Sequence, residues 1–219
     1  GFSEAYMDGW WDTPDLQSVL DFFLMAGDSI YDELVGTSLV RFYERFNHWL
    51  KSNWKFQAQK NISYHYDLGN HFYKEWLDKT MTYSSALFKN KKEPLAQAQI
   101  NKYESICNSL DLKEGDKVLE IGCGWGGFAE YAVKTRKVNI TGLTLSKEQL
   151  EYSKQRMFEE GFASKSNFLL QDYRDEKGKY DAVVSIEMFE AVGEKYWPIY
   201  FQTIQNVLGS GKLGCLQII

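Results

Sequence analysis

The chain is poor in cysteine and proline. Three of its 219 residues are cysteine and three are proline, and Cys107, Cys123 and Cys215 lack the spacing of metal ligands. So few cysteines, odd in number, are typical of a reducing compartment and argue against a disulfide framework and a zinc site. The few prolines, without a low-complexity tract, argue against long linkers.

Long hydrophobic runs and net positive charge are also missing. No apolar run reaches the length of a membrane span, and no signal peptide is present, so we expect a cytoplasmic protein. The net charge of -5 disfavours nucleic acid as the main partner, because such binding needs a basic surface. The chain begins at Gly1 and ends at Ile219 within an apolar strand, so we expect an excised piece whose last strands are missing.

Positive charge is concentrated in residues 41–60, where basic and aromatic side chains are interleaved. The basic residues are Arg41, Arg45, Lys51, Lys55 and Lys60, and the aromatic ones are Phe42, Phe46, Trp49, Trp54 and Phe56. Two readings fit this pattern. One is peripheral contact with an anionic membrane surface, and the other is a packed amphipathic helix with a basic outer face.

The sequence pattern changes near residue 60. Residues 1–60 look helical and predict a small N-terminal, lipid-binding domain fragment, whereas residues 61–219 predict an α/β domain with a Rossmann-like, doubly wound, mostly parallel sheet. Strand-like runs occupy 117–121, 138–143, 167–171, 180–186 and 212–219, and helical stretches follow Gly126 and Ser146 and cover 196–208. A further helix should begin at Pro94 and pack on the sheet.

The most informative run is VLEIGCGWGG at 118–127. Glycines allow positive φ and a close approach to a ligand, and the helix that follows presents its N–H groups there. The spacing is not that of a dinucleotide site, and a Walker lysine is missing. It matches the loop of S-adenosylmethionine-dependent methyltransferases, although a plain strand-to-helix turn would also explain it. The predicted cofactor contacts are Glu120, Gly122, Cys123, Gly124 and Gly126.

Polar residues follow the next two strands, at the sheet edge where ligands bind in doubly wound folds. Thr144 and Gln149 could bind ribose hydroxyls through neutral hydrogen bonds, although Ser146 and Gln149 also fit a capping box. Asp172 could accept from the adenine amine while the ring of Tyr173 covers its face. Asp172 as a helix cap or turn residue is the alternative.

The fourth strand ends in two carboxylates, Glu187 and Glu190, where a methyl acceptor would lie. A carboxylate in an apolar cleft is unfavourable unless it is paired or functional, and it can stabilise a developing cation. Simple exposure in a first helical turn is the alternative.

These residues belong to a set of motifs that resembles the cyclopropane-fatty-acyl-phospholipid synthase family, which includes the mycolic acid cyclopropane synthases. The resemblance covers nearly the whole chain. The motifs are YMDGWW at 6–11, YHYDLGN at 64–70 with FY at 72–73, MTYSSA at 81–86, IGCGWGG at 121–127, GLTLSKEQ at 142–149, QDYRD at 171–175, and MFE at 188–190 with VG at 192–193.

The resemblance implies S-adenosylmethionine as cofactor and the double bond of an unsaturated phospholipid acyl chain as methyl acceptor. The implied cofactor contacts are Tyr83, Ser84, Gly122, Gly124, Thr144, Gln149, Tyr173 and the backbone near Ile186. Attack of the alkene on the sulfonium methyl leaves a carbocation, which then loses a proton as the cyclopropane ring closes. Aromatic side chains could shield this cation, or they could be ordinary core; these are Tyr66, Phe72, Tyr73 and Phe189.

The family's proton acceptor is a bound bicarbonate, and here the sequence departs from the family pattern. Glu190 matches the family's glutamate, but Ser85 replaces its cysteine, Gln217 replaces its histidine, and its tyrosine would lie beyond Ile219. Ser and Gln can bind an anion without supplying charge. Glu190 could therefore act directly, or a methyl-branched or methylene-bearing chain, completed by a partner reductase, could be formed instead of a ring.

The resemblance thus predicts an enzyme that acts on phospholipid acyl chains at the membrane surface, and a homodimer as its assembly. A catalytically silent homologue that binds lipid or cofactor is the alternative from another class. A small-molecule or RNA methyltransferase fits less well, because a basic stripe is missing and the motif at 6–11 is present.

Overall fold

The computed structural model describes residues 2–34 and 69–219. The chain divides into two compact units, residues 1–52 and 53–219. The basic and aromatic side chains of 41–60 lie outside the described residues, and so do Tyr66 and the rest of the motif at 64–68. Across the two described ranges, no helix is both long enough and apolar enough to span a membrane.

The described part of the first unit is helical. Helix α1 covers Phe2–Met7 and helix α2 covers Leu16–Leu34. The ring of Phe2 stacks on Trp11 with 4.3 Å between centroids, and the Trp11 indole nitrogen donates to the carbonyl of Phe2 at 3.0 Å. The aromatic residues of the motif at 6–11 and of α2 therefore help to hold the start of the chain.

The second unit alternates helices and strands. Its helices are α3 (Gly69–Lys74), α4 (Leu95–Ser109), α5 (Gly127–Arg136), α6 (Lys147–Glu159) and α7 (Trp197–Val207), and its strands are β1 (Lys117–Ile121), β2 (Asn139–Thr144), β3 (Ser166–Leu170), β4 (Tyr180–Ile186) and β5 (Leu208–Gln217). The strand order is β3-β2-β1-β4-β5, and all four neighbouring pairs are parallel. The predicted doubly wound sheet is confirmed.

The strand and helix bounds differ from the predicted ones by a residue or two, except at β5. This strand begins at Leu208, four residues before the predicted start at 212. Its pairing with β4 is irregular between Tyr180 and Ala182, and the glycines and lysine of LGSGKLG carry no apolar alternation that would mark a strand. Backbone pairing with β4 sets this boundary, and the side-chain pattern does not show it.

Side chains of the central strand β1 pack on both faces of the sheet. Val118 belongs to a cluster with residues of α4, α5 and α6, and Leu119 belongs to a second cluster with residues of α7. The predicted inner face of α4, Tyr103, Ile106, Cys107 and Leu110, is buried in the first cluster. Because both faces are covered, the carboxyl ends of the strands are where polar side chains can meet a ligand.

Candidate cofactor and acceptor site

The glycine loop after β1 runs through three left-handed residues. Gly122, Gly124 and Gly126 have φ of 80°, 52° and 79°, a region that side chains enter at a cost of roughly 1–2 kcal/mol. A Cβ added at Gly122 would lie 2.7 Å from Met188 Cγ, whereas one added at Gly124 would meet no described atom within 4 Å. The loop is therefore packed against the protein at Gly122 and open at Gly124, as a cradle for a ligand requires.

Glu120 lies below this loop at the end of β1 and is buried at 3% exposure. Among the described residues, none donates a hydrogen bond to its Oε2 atom. Burial raises the pKa of this carboxyl well above its usual value, and Arg156 and Lys102 oppose that rise. A buried carboxyl with an unpaired oxygen fits a site that receives the amino-acid end of S-adenosylmethionine, whose amino group is a donor.

Cys123 is fixed in the same loop. Its backbone N–H and that of Gly122 both donate to the carbonyl of Leu143, at 2.9 and 3.0 Å. Burial raises the pKa of the Cys123 thiol well above its usual value, so the side chain is a neutral apolar group at neutral pH. The structure therefore fixes the backbone of Cys123 and leaves its sulfur as a buried packing group.

Thr144 and Gln149 meet beyond the end of β2. The Thr144 hydroxyl donates to Gln149 Oε1 at 2.8 Å, and both side chains are buried at 5% exposure. Ser146 caps α6 by accepting from the Gln149 backbone at 3.3 Å, and its own N–H donates to Thr144 Oγ1 at 3.1 Å. The capping role is thus present, and the Gln149 side chain points to Thr144 instead of closing the box.

Asp172 and Tyr173 follow β3, and Asp172 caps the short 3-10 helix Tyr173–Asp175. Both carboxylate oxygens of Asp172 accept from Arg174, at 2.8 Å from Nε and 2.6 Å from Nη2. The Arg174 guanidinium also lies 5.6 Å from the Tyr173 ring centroid. The bidentate pair fixes the orientation of Asp172 and gives its carboxylate strong donors within the chain itself.

Tyr83 and Ser84 lie in the loop before α4. We call residues 82–87 of this loop the serine segment. Tyr83 is 45% exposed, and its ring lies 5.7 Å from that of Tyr73 and 5.3 Å from that of Trp76. Ser84 accepts a hydrogen bond from Lys102 Nζ at 2.5 Å. The exposed tyrosine belongs to an aromatic cluster, and the serine is fixed by a buried cation.

Ser85 and Gln217 lie within hydrogen-bond distance of each other, and both contact Glu187. Glu187 Oε1 accepts from the Ser85 backbone at 2.8 Å, the Ser85 hydroxyl at 2.5 Å and Gln217 Nε2 at 2.7 Å. Gln217 Nε2 also donates to Ser85 Oγ at 2.9 Å. The two donors predicted for a free anion are therefore bound to a carboxylate of the chain itself.

The backbone of Glu187 supports this arrangement. Its φ is 47°, in the left-handed region that favours glycine, and its N–H donates to the Gln217 carbonyl at 2.9 Å. A left-handed backbone is uncommon for glutamate and costs roughly 1–3 kcal/mol. The three hydrogen bonds that its side chain accepts offset this backbone strain.

Glu190 has a different partner. It is exposed, and its Oε1 atom accepts from the backbone N–H of Ile219 at 2.7 Å. The neighbouring Phe189 stacks on Trp197 at 5.2 Å, while Phe72 and Tyr73 contact each other at 5.4 Å in the separate cluster near Tyr83. Ile186, at the end of β4, pairs with Gln217, so the backbone of the predicted cofactor contact adjoins the Glu187 network.

Two residues of this network are not site residues in the sequence prediction. The sequence marks Glu187 only as one of two nearby carboxylates, and its partners Ser85 and Gln217 lie far from it in sequence. The motifs do not include Lys102, although it stands four residues before Ile106 on the inner face of α4. A lysine at an inner helical position was the available signal, since such residues are rarely buried without a role.

Comparisons with known proteins agree on one family. Residues 53–219 match the model of the mycolic acid cyclopropane synthetase family. The whole chain is 38% identical to a tuberculostearic acid methyltransferase of Mycobacterium tuberculosis, covering 52% of that protein. Over 95% of the chain, it is 39% identical to the cyclopropane-fatty-acyl-phospholipid synthase of Escherichia coli, covering 53% of it. The chain therefore spans about half the length of these relatives.

A solved structure agrees with the sequence relatives. A mycolic acid cyclopropane synthase complexed with SAH, the demethylated cofactor S-adenosylhomocysteine, and CTAB superposes with a TM-score of 0.68 at 33% identity. The match covers 72% of this chain and 55% of that one. The predicted fold class and the predicted cofactor are both confirmed by this agreement.

Proposed function

Because the chain belongs to the mycolic acid cyclopropane synthetase family, we propose that it transfers the methyl carbon of S-adenosylmethionine to the double bond of an unsaturated phospholipid acyl chain. Glu187 accepts the proton that leaves afterwards. The observation that carries this assignment is the set of three hydrogen bonds that Glu187 Oε1 accepts from Ser85 and Gln217.

The cofactor supplies an electrophilic methyl group when it is bound. In the proposed site the glycine loop and Glu120 would hold its amino-acid end, and Thr144 with Gln149 would hold its ribose. Asp172 and Tyr173 would hold its adenine, while Tyr83, Ser84 and the backbone near Ile186 would complete the site. The open side of Gly124 and the unpaired Oε2 of Glu120 support this placement.

The acceptor chemistry explains why a base is needed. The π electrons of the acyl chain form the new C–C bond, so the chain becomes a carbocation, and one proton must leave to give a neutral product. Ring closure follows when that proton leaves the transferred methyl and its C–H electrons form the third side of the cyclopropane. General-base catalysis of this kind contributes about 100- to 10,000-fold to a rate.

A resident carboxylate makes a bound bicarbonate unfavourable at the same donors. Glu187 already occupies Ser85 and Gln217, and a second anion beside it would be repelled. We therefore assign the base to Glu187 and regard Glu190 as a residue that anchors the end of β5 through Ile219. Bicarbonate is not required under this assignment.

A second product has specific support. One relative is named a tuberculostearic acid methyltransferase, and the replaced anion site separates this chain from the bicarbonate pattern that the sequence resemblance implied. A methylene product, or an unsaturated chain with a methyl branch, would use the same methyl transfer and the same loss of one proton. A saturated methyl branch would also need a partner reductase to supply a hydride and a proton. Gas chromatography of fatty acid methyl esters separates the cyclopropane from both open-chain products.

The proposed base is tested by Glu187→Gly in the intact protein. Glycine keeps the left-handed backbone without strain, removes the carboxylate and frees the donors of Ser85 and Gln217. Turnover should fall about 100-fold or more while affinity for S-adenosylhomocysteine is unchanged, and added bicarbonate should restore part of the turnover. Wild-type activity should be the same in CO₂-free buffer. Full activity of the variant, or a wild type that needs bicarbonate, would contradict the assignment.

Peripheral contact with the membrane belongs to the same proposal, because a phospholipid acyl chain must be reached. Trp10, Leu24 and Met25 in the first unit are each at least 80% exposed, as side chains that enter a lipid surface would be. The intact protein should sediment with anionic vesicles more strongly than with zwitterionic ones. Equal absence from both pellets would contradict membrane contact.

A further inference from the structure

Helix α4 buries a row of polar side chains against the serine segment. Gln99 Nε2 donates to the Ser84 carbonyl at 2.8 Å, and Asn101 Nδ2 donates to the Leu87 carbonyl at 3.1 Å. The Tyr103 hydroxyl bonds to Thr82. Four buried polar residues on one helix, the fourth being Lys102, thus hold a single loop by its backbone and hydroxyl groups.

Lys102 is the charged member of this row. It is 4% exposed, and its Nζ atom donates to Ser84 Oγ at 2.5 Å and to the Ser85 carbonyl at 2.8 Å. Its cation also lies 5.4 Å from the Tyr103 ring centroid. None of the ion pairs found in the described ranges includes Lys102, so hydroxyl and carbonyl oxygens are its nearest partners.

Burial of this ammonium is costly for the fold. Desolvation lowers the pKa of Lys102 to about 8, and the carboxylates of Glu187, Asp78 and Glu120 oppose that shift. A methionine of similar length would fill the same space without burying a charge, but it would remove the two hydrogen bonds to Ser84 Oγ and the Ser85 carbonyl. The lysine is therefore explained by what those two bonds hold, and not by its burial.

The two oxygens that Lys102 binds belong to two halves of the site. Ser84 is a proposed cofactor contact, while Ser85 holds Glu187 through its backbone N–H and its hydroxyl. We propose that Lys102 is a positioning residue, because one buried ammonium fixes the cofactor half and the base half of the serine segment in register. The base half of this role rests on the catalytic function proposed above, and the cofactor half rests only on the proposed contact of Ser84 with S-adenosylmethionine.

The experiment replaces Lys102 by methionine in the intact protein, with Lys113→Met as matched control. Lys113 is a surface lysine whose side chain is 71% exposed and pairs with Asp111. Isothermal titration measures S-adenosylhomocysteine affinity from pH 7 to pH 10, and lipid turnover is measured at saturating S-adenosylmethionine. Circular dichroism confirms that each variant is folded.

Lys102→Met should weaken S-adenosylhomocysteine binding by about 10- to 100-fold at pH 7, the range expected for charge-assisted hydrogen bonds. The ratio of wild-type to variant affinity should narrow to about a few-fold at pH 10, because the wild-type lysine is then neutral. The amino group of the ligand also titrates within this pH range, but it does so with both proteins and cancels in the ratio. Turnover at saturating cofactor should fall as well, and Lys113→Met should change neither quantity.

A ratio below about twofold, or one that stays constant with pH, would overturn the positioning role. If Lys102→Met does not fold, the wild type alone tests the positioning role. Its affinity for S-adenosylhomocysteine must then fall as the pH rises through 8, and the fall must exceed the part caused by ionisation of the ligand. A wild type that binds the ligand but modifies no lipid would contradict the proposed function alone. Normal lipid turnover with a pH-independent ratio would contradict only the role of Lys102.

Discussion

Replacing Gly124 by alanine separates a ligand cradle from a tight turn. The φ of Gly124 is 52°, so an alanine there costs roughly 1–2 kcal/mol of folding stability. The added methyl meets no described atom within 4 Å, and no further loss from packing is expected. If the open side faces the cofactor, the methyl overpacks that contact by roughly 1–3 kcal/mol, which weakens binding by about 5- to 150-fold.

Gly115 provides the matched control. It has φ of 89°, an added Cβ there is equally free of neighbours, and it lies in an exposed turn before β1. Urea unfolding should show a similar loss of stability for Gly115→Ala and Gly124→Ala, while calorimetric titration with S-adenosylhomocysteine should show weaker binding for Gly124→Ala only. Equal affinities for both variants would refute the cradle and leave the plain turn as the explanation.

Three further predictions concern Glu190, Arg156 and Lys102. Glu190→Gln should leave cofactor affinity unchanged and lower turnover less than Glu187→Gly does, because its carboxylate binds the Ile219 N–H; equal loss of affinity and turnover would disprove that placement. Arg156→Met should destabilise the fold by about 3–5 kcal/mol in urea unfolding, because it leaves the largely buried Glu130 without its partner; a loss under about 1 kcal/mol would show that the pair is dispensable. The free energy of unfolding of the wild type should rise by ~3 kcal/mol between pH 7 and pH 11 when it is measured relative to that of Lys102→Met. This magnitude follows because each pKa unit corresponds to about 1.4 kcal/mol.

The sign of the pH prediction follows from the direction of the pKa change. The pKa of Lys102 falls from 10.5 to about 8 on folding, so the unfolded chain binds more protons between these two values. Stability therefore rises with pH across that window, and below it the full cost of the buried charge is present. Burial raises the pKa of thiols such as Cys107, which acts in the opposite sense, but those groups are common to both proteins and cancel in the difference.

The fold was predictable because its signals are local. Apolar strands that end in glycine or polar turns, such as the run at 118–127, mark the sheet directly, and a helix face such as Tyr103 with Ile106 and Cys107 marks a packed helix. The start of β5 at Leu208 was not predictable, since its glycine-rich sequence has no alternation and only pairing with β4 makes it a strand.

The site was predictable only where its residues stand at strand ends. Gly124 and Thr144 lie there by topology. The role of Glu187 depends on contacts with Ser85, 102 positions away, and Gln217 lies 132 positions from Ser85. Local patterns do not encode such pairings, so the sequence motifs give Glu190 more weight than Glu187.

Lipid analysis of cells that express the intact protein and grow on methionine with a trideuterated methyl group tests the central claim most directly. We expect phospholipid acyl chains that have gained one carbon and retain two deuterium atoms, because one is lost to the base, and we expect Glu187→Gly cells to contain much less of them than wild-type cells do. Unlabelled, unchanged acyl chains from a protein that binds S-adenosylhomocysteine would contradict the account.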